Sequence, residues 1–182
     1  MRLLTGLHDA DRALTKRAAS RIPTGLGKAL SAVEEAAEST KLWCGTAAAM
    51  AWLGGWRGRT AAAAGLGALV MAQLASNGLA KQLNDRPRPP EEWIPHDETA
   101  DRPDSSSFPS GHTTAAVAFT AAVAPAWPAV GALCAIPTAV VAVERVQSGA
   151  HYPSDVAAGA AIGLASAWLT RRAPALLLRL WP

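Results

Sequence analysis

The chain has 182 residues, half of them hydrophobic and only 17% charged, with a net charge of +3. That length suits one domain, and lysines and arginines spread along the chain exclude the basic stripe of a nucleic-acid binder. Two cysteines, Cys44 and Cys134, lie in apolar runs without metal-ligand spacing and read as buried free thiols.

The N-terminal "MRLLTGLHDADR" is too short an apolar run for a secretory signal, so no cleaved leader is expected. Residues 1–40 carry two amphipathic patterns. Leu7, Ala10, Leu14 and Ala18 recur at helical spacing, and Leu26, Ala29, Leu30 and Val33 repeat it after Pro23 and Gly25. The expectation is two surface helices lying along a membrane interface, with packing on a helical core as the alternative.

From residue 41 the texture changes. Five apolar, Ala/Gly-rich stretches follow at 41–56, 60–80, 112–126, 128–143 and 155–170. Several are nearer 15 than 20 residues, barely enough for a bilayer core of about 30 Å. Five in one small chain leave too little polar surface to cover them, which favours membrane spans. Tryptophans 43, 52, 56, 93, 127, 168 and 181 fall mostly near segment ends, as interfacial aromatics do. "WRGRT" and "APAWPAV" read as tight turns, and Gly159 with Gly163 as a close-packing pair on the last span. The prediction is an all-α, multi-span membrane bundle of about five transmembrane helices. It divides into N-terminal helices (1–40), a catalytic bundle (41–172) and a C-terminal tail (173–182).

The one long loop runs from Lys81 to His112. Its His96–Asp97–Glu98 triplet reads as a solvated face, not a metal site. In an up-and-down bundle, Lys81 closes the second span, His112 opens the third, Arg145 closes the fourth and Asp155 opens the fifth. All four ends then share one side of the membrane, with Arg88, Ser110, Gly111 and His151. Ionisable groups gathered at a bundle mouth are functional by default. Lys81, Arg88 and Arg145, with Ser110 and the Gly111 amide at a helix start, make a cradle for phosphate. His151 and Asp155 fit a nucleophilic imidazole oriented by a carboxylate.

"KQLNDRPRP", "FPSGH" and "RVQSGAHYPSD" resemble the three ordered signature motifs of the type 2 phosphatidic acid phosphatase family, which includes vanadium haloperoxidases. Each motif alone is weak; the three in order, over residues 81–155, are specific. The resemblance implies that Lys81, Arg88, Ser110, Gly111 and Arg145 bind phosphate. It further implies that His112 protonates the leaving alkoxide, His151 attacks phosphorus and Asp155 steadies His151. The product of that attack is a phosphohistidine, which water cleaves, with no metal and no cofactor. The implied substrate is a lipid phosphate: a polyprenyl phosphate or diphosphate, phosphatidic acid, phosphatidylglycerol phosphate or a polyprenyl phosphosugar. A vanadate-using haloperoxidase and a non-catalytic phospholipid-binding protein are the rivals. Small size and membrane spans count against the first, and the complete His112, His151 and Asp155 set against the second.

One position departs from the pattern: Glu144 stands where the family has a small hydroxyl residue. A carboxylate about 6 Å from phosphate costs roughly 2–3 kcal/mol per charge at an effective dielectric near 20. Glu144 therefore points away to pair with a cation such as Arg86, or meets a polar substrate headgroup. The implied location is the cell membrane, among membrane lipids. The resemblance favours an outward-facing site, while Lys and Arg near the two ends of the bundle are almost balanced.

Overall fold

The computed structural model describes residues 2–21, 30, 32–33, 35–37, 40–94 and 105–180, with side chains of 2–5, 7, 21 and 174–180 left aside. The His96–Glu98 triplet, Leu26 and Ala29 of the second N-terminal pattern, and Trp181 lie outside the described residues. The elements are helical throughout: α1 (Arg2–Arg21), α2 (Lys41–Leu53), α3 (Gly55–Gln73), α4 (Gly111–Val123), α5 (Pro128–Gln147) and α6 (Pro153–Leu180). A π-helical stretch, Leu74–Ala80, extends α3 to Lys81, and a 3-10 turn, Glu91–Trp93, lies in the long loop.

Local chemistry explains most boundaries. Ser110 caps α4 by accepting from the Thr113 amide. Pro128 and Pro153 open α5 and α6, where a missing N–H costs nothing. "APAWPAV" is the α4–α5 turn, but "WRGRT" is not a turn: it lies within α3. The chain reverses at Gly54 and Gly55 instead. Gly55 takes φ +54°, and a Cβ on Gly58 would lie 1.9 Å from the Met50 carbonyl oxygen, so glycine is what lets the start of α3 approach the end of α2 this closely. The last helix runs unbroken to Leu180 and takes in most of the expected tail.

Helix α4 is the axis, packed by α3, α5 and α6. Ala116, Ala118, Phe119, Ala122 and Val123 are fully buried along it. Alanine and glycine bring the backbones close: Cβ atoms on Gly159 and Gly163 would each fall 2.6 Å from an α4 carbonyl, of Ser110 and Thr114. Outside, Trp52, Trp56, Leu133, Ile136, Leu164 and Trp168 stand exposed, while Ser76, Thr113, Thr114 and Ser166 are buried. Apolar outside and hydroxyl inside is the distribution a lipid solvent favours. Among the described residues, Gly55–Ala80 and Pro128–Gln147 are long and apolar enough to cross a membrane.

One expectation is corrected: Cys134 is buried, but Cys44 faces outward on α2, opposite the inward Trp43, Ala47 and Met50. Helix α1 keeps part of its apolar stripe outward, as a surface helix at an interface does, and packs on the bundle by another face. Asp11, Thr15 and Ala19 are buried, whereas Ala10 and Leu14 are exposed. Polar partners on the bundle, described next, hold it in that orientation.

Candidate active site

Three distant segments are stitched together at one end of α4. The Arg86 carbonyl accepts from the Ser107 amide (2.9 Å), joining the first motif to the residue just before the second. An Arg88 guanidinium nitrogen donates to the Ala150 carbonyl (2.7 Å), joining the first to the third. The Ser110 amide donates to the Asp155 carbonyl (3.1 Å), joining the second to the third. Gly149, at φ +64°, turns the chain after α5 so that the His151 amide reaches back to the Arg145 carbonyl (2.9 Å). A left-handed residue is needed there, and glycine adopts that conformation without a Cβ penalty.

His151 is buried. Its Nδ1 lies 2.5 Å from the Ser107 carbonyl oxygen. A carbonyl only accepts, so Nδ1 carries the proton and the lone pair of a neutral ring is on Nε2. Asp155 Oδ2 is 3.9 Å from the same Nδ1. The direct orienting bond is thus the backbone's, and the carboxylate acts at ion-pair distance. Asp155 is fully buried; Oδ2 accepts from the Tyr152 amide (2.8 Å) and Oδ1 from Arg86 (2.5 Å). Burial pushes the His151 imidazole below its ordinary value, helped by the Arg88 charge and opposed by Asp155 and the Ser107 carbonyl.

His112 sits in the first turn of α4, where the positive charges of Arg145, Lys81 and Arg88 all reach it. Lys81 Nζ and Arg88 both donate to the Ser105 hydroxyl, at 3.5 and 3.3 Å. Burial and the neighbouring Arg88 hold the Lys81 amine below its usual range. Ser110 is buried and its hydroxyl is engaged with Thr113 (3.0 Å to Oγ1), so it secures the helix start. Gly111 and His112 supply first-turn amides, which a helix leaves without intrahelical partners.

Glu144 pairs with its neighbour: Oε2 accepts from Arg145 Nε at 2.5 Å, and Glu144 is buried. The expected Glu144–Arg86 pair does not form, because Arg86 is taken by two other carboxylates. Its guanidinium donates to Asp155 (2.5 Å), to Asp11 (2.8 Å) and to the Ser154 hydroxyl (2.7 Å), and lies 4.2 Å from the Tyr152 ring centroid. Burial disfavours that charge, but the bond to Asp11 and the charges of Asp155 and Asp11 outweigh it and raise the Arg86 value. Motif reading missed Arg86, although it stands two residues before Arg88. It also missed Ser105 and Ser107, which lie in the serine run before "FPSGH".

Two volumes adjoin these groups. A polar cavity of about 760 Å³ is lined by Asn77, Lys81, Gln82, Asn84, Asp85, Ser105 and Ser106, with Leu83 its one apolar member. An apolar groove of about 700 Å³ starts at Thr113 and Pro153 and runs between α4, α5 and α6, past Val117, Ala121, Ala157 and Leu164.

Comparison with known proteins gives a consistent picture. Residues 62–178 match the model of the PAP2 superfamily. A lipid A 1-phosphatase of Rhizobium johnstonii is 48% identical over 67 residues, 35% of this chain and 25% of that protein. A decaprenylphosphoryl-5-phosphoribose phosphatase of Mycobacterium tuberculosis is 37% identical over 105 residues, 55% of this chain and 53% of that protein. The chain therefore spans between a quarter and about half of the length of these relatives. Among solved structures, the transmembrane PAP2-type phosphatidylglycerolphosphate phosphatase of Bacillus subtilis superposes with a TM-score of 0.70 at 22% identity, covering 91% of this chain and 85% of that one. Aquifex aeolicus LpxE superposes with a TM-score of 0.65 at 19% identity, covering 88% and 93%.

Proposed function

The chain belongs to the PAP2 superfamily, and on that premise we propose that it is an integral membrane lipid phosphate phosphatase working through a phosphohistidine. The observation that carries this reading is the pairing of a cationic cluster with one defined nucleophile. The charges of Lys81, Arg88 and Arg145 all reach His112, while His151 keeps Nδ1 protonated against Ser107 and so carries its lone pair on Nε2. In the first step His151 Nε2 bonds to phosphorus as the ester P–O bond breaks. His112 gives its proton to the departing oxygen, so the lipid leaves as an alcohol. In the second step water attacks phosphorus and loses a proton to the now neutral His112. The P–N bond breaks, and phosphate and free His151 are restored. The fixed cations neutralise charge that a magnesium ion meets in other phosphoryl transfers.

The substrate is an amphiphile, since the polar cavity and the apolar groove flank the same centre. Amides, hydroxyls and one carboxylate line the cavity beside Lys81, a set that hydrogen-bonds a polyol. This favours a lipid-linked phosphosugar over phosphatidic acid, in keeping with the phosphoribose in one relative's name. The groove takes the tail. Helices α2 to α6 form five spans, with the site at the outer face.

Phosphate release in detergent micelles containing EDTA, across a polyprenyl phosphosugar, phosphatidylglycerol phosphate and phosphatidic acid, tests the reading. The expected order places the phosphosugar first. Loss of all activity with EDTA, restored by magnesium, would sink the mechanism. Acid-labile labelling of a His151→Ala protein would show the nucleophile to be another residue.

A further inference from the structure

Helix α1 reaches the catalytic end through one buried carboxylate. Asp11 is 3% exposed, and both its oxygens are used. Oδ1 accepts from the Ser154 amide (3.0 Å), so Asp11 caps the first turn of α6 from another helix. Oδ2 accepts from the Ser154 hydroxyl and from Arg86 (2.8 Å). On the other side of the same guanidinium lies Asp155, whose second oxygen faces His151. A second anchor holds α1 in place: the Arg12 and Lys16 charges lie 5.4 and 4.5 Å from the Trp93 ring centroid.

We propose that Asp11 is a positioning residue for the nucleophile, acting through Arg86 on Asp155 and His151, so that the N-terminal helix is part of the catalytic apparatus. This rests on the phosphohistidine reading above.

The reason is charge arithmetic as much as geometry. Arg86 alone against Asp155 makes a neutral pair and leaves His151 no net negative neighbour. With Asp11 included, two carboxylates share one guanidinium and the cluster carries one net negative charge. That charge sits beside the ring that becomes cationic as Nε2 takes phosphorus, while Arg88 on the other side opposes it. Asp11 also holds the guanidinium beside the Tyr152 ring, 4.2 Å from its centroid, which keeps Arg86 from turning toward the substrate phosphate. The phosphate cradle of Lys81, Arg88 and Arg145 does not depend on Asp11, so its loss separates chemistry from binding.

The test uses the full chain in detergent, labelled phosphoenzyme in a single turnover, and vanadate as the probe of the cradle. Asp11→Asn keeps the shape and removes the charge. Phosphoenzyme formation should slow about 10- to 100-fold, as expected for a mispositioned nucleophile, while vanadate affinity stays within about threefold. In an Arg86→Gln background the same Asp11→Asn change should cost less than about threefold, because its route of action is gone. A native rate of phosphorylation in Asp11→Asn overturns the proposal. So does an equal loss in both backgrounds, the mark of a mere tether through Ser154, and so does a vanadate loss that matches the rate loss. If Arg86→Gln does not fold, the comparison of rate with vanadate affinity in Asp11→Asn still decides. Absence of label on the native protein overturns the phosphatase reading and this inference with it. Label on the native protein with none of the expected slowing in Asp11→Asn overturns the inference alone.

Discussion

Gly159→Ala places one methyl group where α6 crosses α4. Its Cβ would lie 2.6 Å from the Ser110 carbonyl oxygen and 2.9 Å from the Thr114 hydroxyl. An ordinary C···O contact needs about 3.3 Å, so the helices must part by roughly 0.7 Å. The Ser110 carbonyl cannot swing away, because the Thr114 amide (3.0 Å) and hydroxyl (2.7 Å) both bind it. The retreat falls on α6, one turn from Asp155, whose carbonyl receives the Ser110 amide. Overpacking costs typically 1–3 kcal/mol, and replacing a mid-helix glycine returns about 0.5–1 kcal/mol, so the net stability loss is about 1 kcal/mol. A misplacement approaching 1 Å costs up to about 10²-fold in rate, so activity should fall 10- to 100-fold. Thermal unfolding in detergent and phosphate release on the same preparation separate the two effects. Gly45→Ala, whose Cβ meets nothing within 4 Å, is the control and should leave activity unchanged. Turnover of Gly159→Ala within about twofold of native would refute the view that this crossing sets the geometry of the site.

His112→Ala should lose most of a general acid's contribution, about 10²- to 10⁴-fold, on a lipid ester and much less on nitrophenyl phosphate, provided the first turnover is followed. Equal losses in that phase would make His112 a phosphate ligand only. Glu144→Gln should tighten vanadate binding about tenfold, since it removes the carboxylate that neutralises Arg145 beside the cradle; weaker binding would mean that Glu144 serves chiefly to orient Arg145. The docking of α1 should be insensitive to pH between 7 and 5. Burial raises the Asp11 value, but bonds from Ser154 and Arg86 outweigh it and hold the carboxyl below its ordinary 3.8. Its contribution is therefore full above that value and lost only as pH falls through the lower folded-state value. Hydrogen exchange of the α1 amides measures this, and protection lost between pH 7 and 5 would contradict it.

Features encoded within a few residues were legible in the sequence. The Gly159–Gly163 pair lies at a close crossing, and the charges of Lys81 and Arg145 reach His112. The hairpin at Gly54 and Gly55 was legible in principle, yet the charged "WRGRT" beside it looked more like a turn. The orienting bond to His151 comes from a carbonyl, which every residue has, so no side chain at position 107 advertises it. The apolar stripe of α1 suggested a helix at an interface, but nothing in the stripe indicated which residues of the other face pack on the bundle. In water that stripe would turn inward; the structure turns Leu14 outward and buries Asp11 and Thr15.

The distance to its partners explains why Asp11 left no trace in the motifs. Its partners stand 75 and 143 residues away along the chain, and one of them is a backbone amide. A carboxylate this buried is tolerable only with its bonds made, and Arg86 and Ser154 make them. Those two residues in turn flank Asp155, in the first turn of α6. The cost of burying Asp11 is thus offset at the one place where a fixed negative charge helps the nucleophile. A solvent-facing helix would have no such reason to turn its acid inward.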